Sequence, residues 1–158
     1  MRILVFGNSG SGKSHRAKAL TATHRLVHLD LDTIVWEPGR IAVPRDPAVV
    51  KKELLAFIQE RDGWVVEGCY GDLVEAALPW CSELVFMNPG AAVCLDNNRR
   101  RPWEPHKYDS MEAQQGKLDF LLQWVAQYYT RDDSCSYHWH RRVYDGFDGN
   151  KVEITTLD

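Results

Sequence analysis

The apolar run Ile3-Leu4-Val5-Phe6 leads directly into Gly7-Asn8-Ser9-Gly10-Ser11-Gly12-Lys13-Ser14, and this junction constrains the fold more than any other part of the chain. Four successive apolar residues suit a strand buried on both faces, as parallel sheets contain. The octapeptide fits G-x-x-x-x-G-K-[ST]. Residues 13–22 then have helical spacing, with Ala17 and Leu20 on one face. Strand, glycine-rich turn and helix form the context in which such a loop cradles phosphate. The glycines turn backbone N–H groups inward, and the helix N-terminus adds partial positive charge. Nucleotide contacts are expected from Gly7, Ser9, Gly10, Ser11, Gly12, Lys13, Ser14 and His15. The Lys13 ammonium would reach the β- and γ-phosphates of a nucleoside triphosphate, and the Ser14 hydroxyl would ligate Mg²⁺.

The rest of the chain repeats the alternation. Apolar runs at 26–31, 64–67, 84–87 and 152–156 read as strands. Between them, Asp46-Pro47 opens a helix that keeps Val50, Leu54, Phe57 and Ile58 on one face. A short helix over 72–78 would be capped by Asp72 and stopped by Pro79. Another runs from Asn88-Pro89 towards Arg101 and ends before Pro102. Leu118, Leu121, Leu122, Val125 and Tyr129 mark a long helix whose stripe is core, with Phe120 and Trp124 in core or lid contacts, and 136–144 a further helix. Strands alternating with helices predict an α/β fold: a three-layer α/β/α sandwich around a parallel sheet of about five strands. At 158 residues the chain fits one domain, 1–158.

Two acids stand at the end of the second strand, in His28-Leu29-Asp30-Leu31-Asp32. Residues two apart share one side of a strand, and ligands of open parallel sheets bind beyond the strands' carboxyl ends. Asp30 and Asp32 are therefore expected to face the phosphate site together. One would hold the water shell of Mg²⁺, the other would take a proton from an attacking hydroxyl. The residues alone leave the two roles interchangeable.

The P-loop followed by Asp-x-Asp resembles the small P-loop kinases of the adenylate kinase-like group, to which shikimate and gluconate kinases belong. The segments HLDLDTIVW, GWVVEGCYGD, LVFMNPG and RRRPWEPHKY look more closely like bacterial proteins labelled topology modulation or adenylate kinase-like. The resemblance implies a phosphotransferase that uses ATP and Mg²⁺ on a small-molecule or nucleotide acceptor. It puts Asp30 on the metal through water and Asp32 on the acceptor. It also implies acceptor contacts for Gly68, for Tyr70 and for an anion-binding Arg45. The resembled kinases often continue past the last strand into an adenine-holding loop, so GTP stays open as donor. Glu67, at the end of the third strand, is a further candidate to assist the metal.

Arg99-Arg100-Arg101 enters a Pro-Trp-Glu-Pro-His-Lys loop. Arginines on a mobile lid stabilise the charge that spreads over a transferring phosphoryl group and exclude water. Consecutive helix residues diverge by about 100°, so at most two of the three can face the site. Arg99 and Arg100 are the candidates, on a small lid over about 99–117, and Arg141 is a candidate for a second contact with the nucleotide. Cys135-x-x-His138-x-His140 has the spacing of no standard structural zinc site, and its histidines would diverge on a helix.

Composition narrows the partners. The formal net charge of −3 provides no basic excess for a nucleic-acid backbone. No stretch of roughly 18 apolar residues is available to span a membrane, and the N-terminal apolar run is too short for a signal peptide. Four cysteines without a C-x-x-C pair read as reduced, packed thiols, and a cytoplasmic location is expected. A second reading has the chain as a nucleotide-dependent regulatory ATPase acting with a protein or DNA partner. Oligomeric state leaves no signal.

Overall fold

A computed structural model describes residues 1–40 and 42–158. Five parallel strands form its sheet: β1 (Arg2–Gly7), β2 (Val27–Asp30), β3 (Trp64–Gly68), β4 (Glu83–Met87) and β5 (Asn150–Ile154), in the order β2-β3-β1-β4-β5. The P-loop strand is central, with Phe6 beside Gly68 on one side and Gly7 beside Met87 on the other. The strand ends that carry Gly7, Asp30, Gly68 and Met87 thus lie along one edge of the sheet.

The alternation within β1 explains the layers. Ile3 and Val5 point to α1 (Lys13–His24), where they join Ala17, Val65, Val85 and Met87. Leu4 and Phe6 point the other way, into a larger core with Val66, Leu84 and Phe86. That core is closed by Val50, Leu54 and Ile58 of α3 (Pro47–Gln59), by Leu73, Val74 and Ala77 of α4 (Gly71–Ala77) and by Val143 of α8 (Tyr137–Gly146). Each fully buried aliphatic or Phe side chain contributes about 1.5–3 kcal/mol, so a strand buried on both faces fixes its register firmly. The expected three-layer sandwich with five parallel strands is the fold observed.

Local boundaries differ in instructive places. Asp46 caps α3 through Ala48 N–H, with Pro47 in the first turn. Asp72, by contrast, caps nothing: α4 begins one residue earlier, and its cap position is Tyr70 without a side-chain bond. Pro79 does not end the helical path, which continues as a 3₁₀ turn over Leu78–Trp80. A separate helix, α6 (Met111–Gly116), stands where none was expected, and the expected long helix after it is shorter: α7 covers Leu118–Ala126, and Tyr129 lies in the turn beyond. Of its stripe only Val125 is fully buried, and Phe120 is 73% exposed. Two short elements complete the set: α2 (Asp32–Val35) and α5 (Ala91–Arg99). All four cysteines are free. Among the described residues no helix is long and apolar enough to cross a membrane.

Candidate active site

The loop between β1 and α1 is shaped by glycine at the point where it meets α5. Gly10 has φ of +77°, and a Cβ there would stand 2.4 Å from the Cys94 carbonyl oxygen and 2.5 Å from Asn98 Nδ2. No larger residue fits this backbone or this approach. Asn98 is buried and grips the loop at Ser9 while bonding back to its own helix. Its Nδ2 donates to Ser9 O at 3.1 Å and to Cys94 O at 2.8 Å, and its Oδ1 accepts from Ser9 Oγ at 3.1 Å. Asn97 Nδ2 adds a bond to Gly10 O at 2.9 Å, and Asn8 Nδ2 ties the loop to Val125 O of α7 at 3.2 Å. With the Ser9 and Gly10 carbonyls held by α5 and the Ser11 N–H donating to Asn8 O at 3.2 Å, the first N–H groups of α1 are the donors left to face a phosphate. Lys13 Nζ donates to Asn8 O at 2.7 Å. Ser14 and His15 are exposed at the start of α1, and the Ser11 hydroxyl is buried without a protein partner. Asn97 and Asn98 carry no motif signal, since an Asn pair near a helix end reads as surface. Asn98→Ala would leave buried carbonyls unpaired. It is expected to cost about 2 kcal/mol in a denaturant melt and to weaken Mg·ATP binding in a titration.

The acids converge, though not by strand alternation. β2 stops at Asp30, Leu31 adopts helical torsions and is fully buried, and Asp32 opens α2. Asp30 Oδ1 accepts the Asp32 N–H at 2.9 Å, so a capping turn, not a shared strand face, brings the two together. Glu67, only 2% exposed, lies beside Asp30 in the sheet register. Its Oε1 approaches His28 Nε2 at 3.5 Å without hydrogen-bond geometry, leaving both atoms otherwise unpartnered.

The carboxylates divide sharply in acidity. Burial pushes Asp30 up to about 6, reinforced by the negative charges of Glu67 and Asp32. Burial would raise Asp32 and Glu67 as well, yet both are held below their ordinary values. Lys107 and Tyr70 outweigh burial at Asp32; His28, Lys13 and Ser14 do so at Glu67. Glu67, with its orphaned buried oxygen, and Ser14 offer oxygen, the donor type Mg²⁺ prefers; among the described residues no group of three His, Cys, Asp or Glu side chains is placed to hold a metal by itself.

Asp32 has partners from two further elements. The Tyr70 hydroxyl donates to its Oδ1, and Lys107 Nζ sits 2.6 Å from its Oδ2. Burial, with the neighbouring Cys69 and Asp32, pushes the Tyr70 hydroxyl far up, so it stays a donor. Tyr70 is fixed from behind. The Gly71 N–H donates to Ser134 O at 2.8 Å, and a Cβ on Gly71 would stand 2.4 Å from that oxygen. His140, fully buried, bonds the Cys69 carbonyl through Nε2 at 2.7 Å and Tyr128 Oη through Nδ1 at 2.8 Å. A carbonyl only accepts, so Nε2 carries the proton and the Tyr128 hydroxyl donates to Nδ1. Burial lowers His140 to about 4. His140 of the Cys135-x-x-His138-x-His140 segment thus anchors the Tyr70 segment, while His138 is exposed.

The remaining candidates spread out. Gly68 ends β3 against the Leu31 side chain. Arg45 and Tyr70 line one cleft of about 330 Å³, but Arg45 is already held by Glu53 at 2.8 Å and 2.9 Å. Arg99 is exposed and Arg100 pairs with Asp96 at 3.3 Å, so the cation on Asp32 is Lys107, which no motif in the sequence marks. Its loop is braced by Gln114, which accepts from Glu104 N at 2.8 Å and donates to Pro102 O at 3.0 Å. Arg141 is engaged by Glu153 of β5, at 3.1 Å and 2.6 Å.

No protein-family model matches the chain, and neither does any curated protein. Solved structures do. A sugar kinase from Janibacter sp. HTCC2649 aligns with a TM-score of 0.56 at 13% identity, over 97% of this chain and 83% of that one. A gluconokinase from Sinorhizobium meliloti 1021 gives 0.55 at 20% identity, over 99% and 83%. A deoxyadenosine kinase from M. mycoides with bound dATP gives 0.53 at 10% identity, over 100% and 93%. The fold is that of the small P-loop kinases. At these identities the likeness speaks for fold alone, and the chemistry must be argued from the site.

Proposed function

We propose that this chain is a phosphotransferase that moves the γ-phosphate of ATP, with Mg²⁺, to a small-molecule or nucleotide acceptor. The observation that carries the reading is Asp32: an ionised carboxylate at the sheet edge that also bears the P-loop, reached at once by Tyr70 and by a lysine from a remote loop. A water-filled turn needs no such convergence; a site for a hydroxyl acceptor does. The resemblance to the adenylate kinase-like group, including bacterial proteins labelled topology modulation, points the same way.

Loop N–H groups and Lys13 would bind the triphosphate. Ser14, and Asp30 through water, would hold Mg²⁺, whose chemistry is to neutralise charge on the phosphates. Asp32 would orient the acceptor hydroxyl and accept its proton. Gly68, Tyr70 and Arg45 would line the acceptor cleft. Residues 99–117 would serve as the lid of the single domain, with Arg99 and Arg100 meeting the transferring phosphoryl group on closure and Arg141 released from Glu153 to reach the nucleotide. A cytoplasmic location suits an ATP user.

The test is consumption of Mg·ATP by the pure protein against a panel of nucleoside monophosphates, polyols and hydroxy acids. One compound should stimulate turnover strongly, and Asp32→Ala should abolish the stimulation. Slow turnover indifferent to every compound and to Asp32→Ala would favour the regulatory ATPase instead.

A further inference from the structure

A carboxylate that is to activate a nucleophile must offer it an oxygen. On Asp32 each already has a partner: Oδ1 accepts from the Tyr70 hydroxyl and Oδ2 is paired with the Lys107 ammonium, Nζ at 2.6 Å. Lys107 has somewhere else to go. Glu104 Oε2 lies 3.6 Å from the same Nζ, and the Glu104 backbone is tied down through Gln114. The ammonium therefore stands between two carboxylates, nearer to Asp32.

We propose that Lys107 makes the site choose its acceptor over water, by occupying the Asp32 oxygen that a nucleophile must use; the inference rests on the phosphotransferase reading above. Water brings only its own hydrogen bonds and does not displace a short, charge-assisted contact. An acceptor brings the binding of its remaining atoms, for which the cleft beside Tyr70, with Val35, Arg45 and Ser134 in its walls, provides the surface. Its hydroxyl takes over Oδ2 as Lys107 moves to Glu104. Without Lys107, water enters in place of the acceptor. Its oxygen bonds to the γ-phosphorus while the bond to the β–γ bridging oxygen breaks. ADP leaves with the bridging oxygen and its electrons, and the water proton passes to Asp32 and on to solvent.

The experiment is hydrolysis of Mg·ATP with no acceptor added, in wild type, Lys107→Met and Lys107→Arg, alongside equilibrium binding of Mg·ATP. Lys107→Met keeps the stem and removes the charge. It should raise kcat for hydrolysis about tenfold, with KM for Mg·ATP moved by less than about twofold. Lys107→Arg restores a cation and should bring hydrolysis back down, which a merely structural side chain would not require. If Lys107→Met binds Mg·ATP as wild type does and hydrolyses it no faster, the Lys107 proposal fails alone. It also fails if Lys107→Arg hydrolyses as fast as Lys107→Met. If neither wild type nor variants bind Mg·ATP, the phosphotransferase reading fails, and this inference with it.

Discussion

Lys13→Ala should lower turnover of Mg·ATP by about a thousandfold, the loss expected when a fixed charge on a transferring phosphoryl group is removed. In the structure the Lys13 ammonium is parked on its own loop at Asn8 O, half-buried and within electrostatic reach of Asp32 and Glu67. That bond is to a neutral carbonyl, and a triphosphate offers far more. The folded state should barely notice the substitution, because a single hydrogen bond contributes about 1 kcal/mol. Initial-rate kinetics with matched melting curves separate the two effects. Turnover within tenfold of wild type would remove Lys13 from the chemistry and with it the phosphate-cradle account of the loop.

Asp30→Asn should stabilise the protein by about 3 kcal/mol at pH 8, measured by urea unfolding in EDTA without nucleotide. Asp30 rises from 3.8 to about 6 in the folded state, through burial first and then the charges of Glu67 and Asp32. Between those values the folded chain holds a proton that the unfolded chain has lost. Stability from this group is full below pH 3.8 and disappears as pH rises through 6, when the fold must carry the buried charge. Asparagine removes that charge and keeps an oxygen for the Asp32 N–H. Its advantage should vanish near pH 3.5, and Mg·ATP turnover should fall. Equal stability of the two proteins at pH 8 would mean the acids are not crowded.

His140 has the opposite sign. Its folded value of about 4 lies below the ordinary 6.5, so the unfolded chain binds the extra proton and stability drops as pH falls from 6.5 towards 4. The full loss is again about 3 kcal/mol, which offsets much of the Asp30 effect in wild type. His140→Gln should therefore lose less stability than wild type as pH falls from 6.5 to 4, a difference visible in urea melts.

Both effects trace to residues whose setting lies outside their own segment. Local sequence determined the P-loop strand, the turn and α1, because one apolar run and one glycine pattern leave a single conformation that buries the first and curls the second. It determined the parallel α/β architecture too, since uninterrupted apolar runs need cover on both faces. It fixed that Asp30 and Asp32 meet near the phosphate end, although a turn led by the buried Leu31, and not strand alternation, brings them there. Tertiary structure alone decided which cation reaches Asp32. Arg99, Arg100 and Lys107 look alike in sequence as lid charges, and only the path of the 100–110 loop, pinned through Glu104 and Gln114, brings Lys107 onto the carboxylate while Arg100 stays with Asp96. It also decided that Asn98 grips the P-loop and that His140 is a neutral anchor. A side chain's charge is a property of its residue. Its partners and its acidity are set by whatever the fold packs against it.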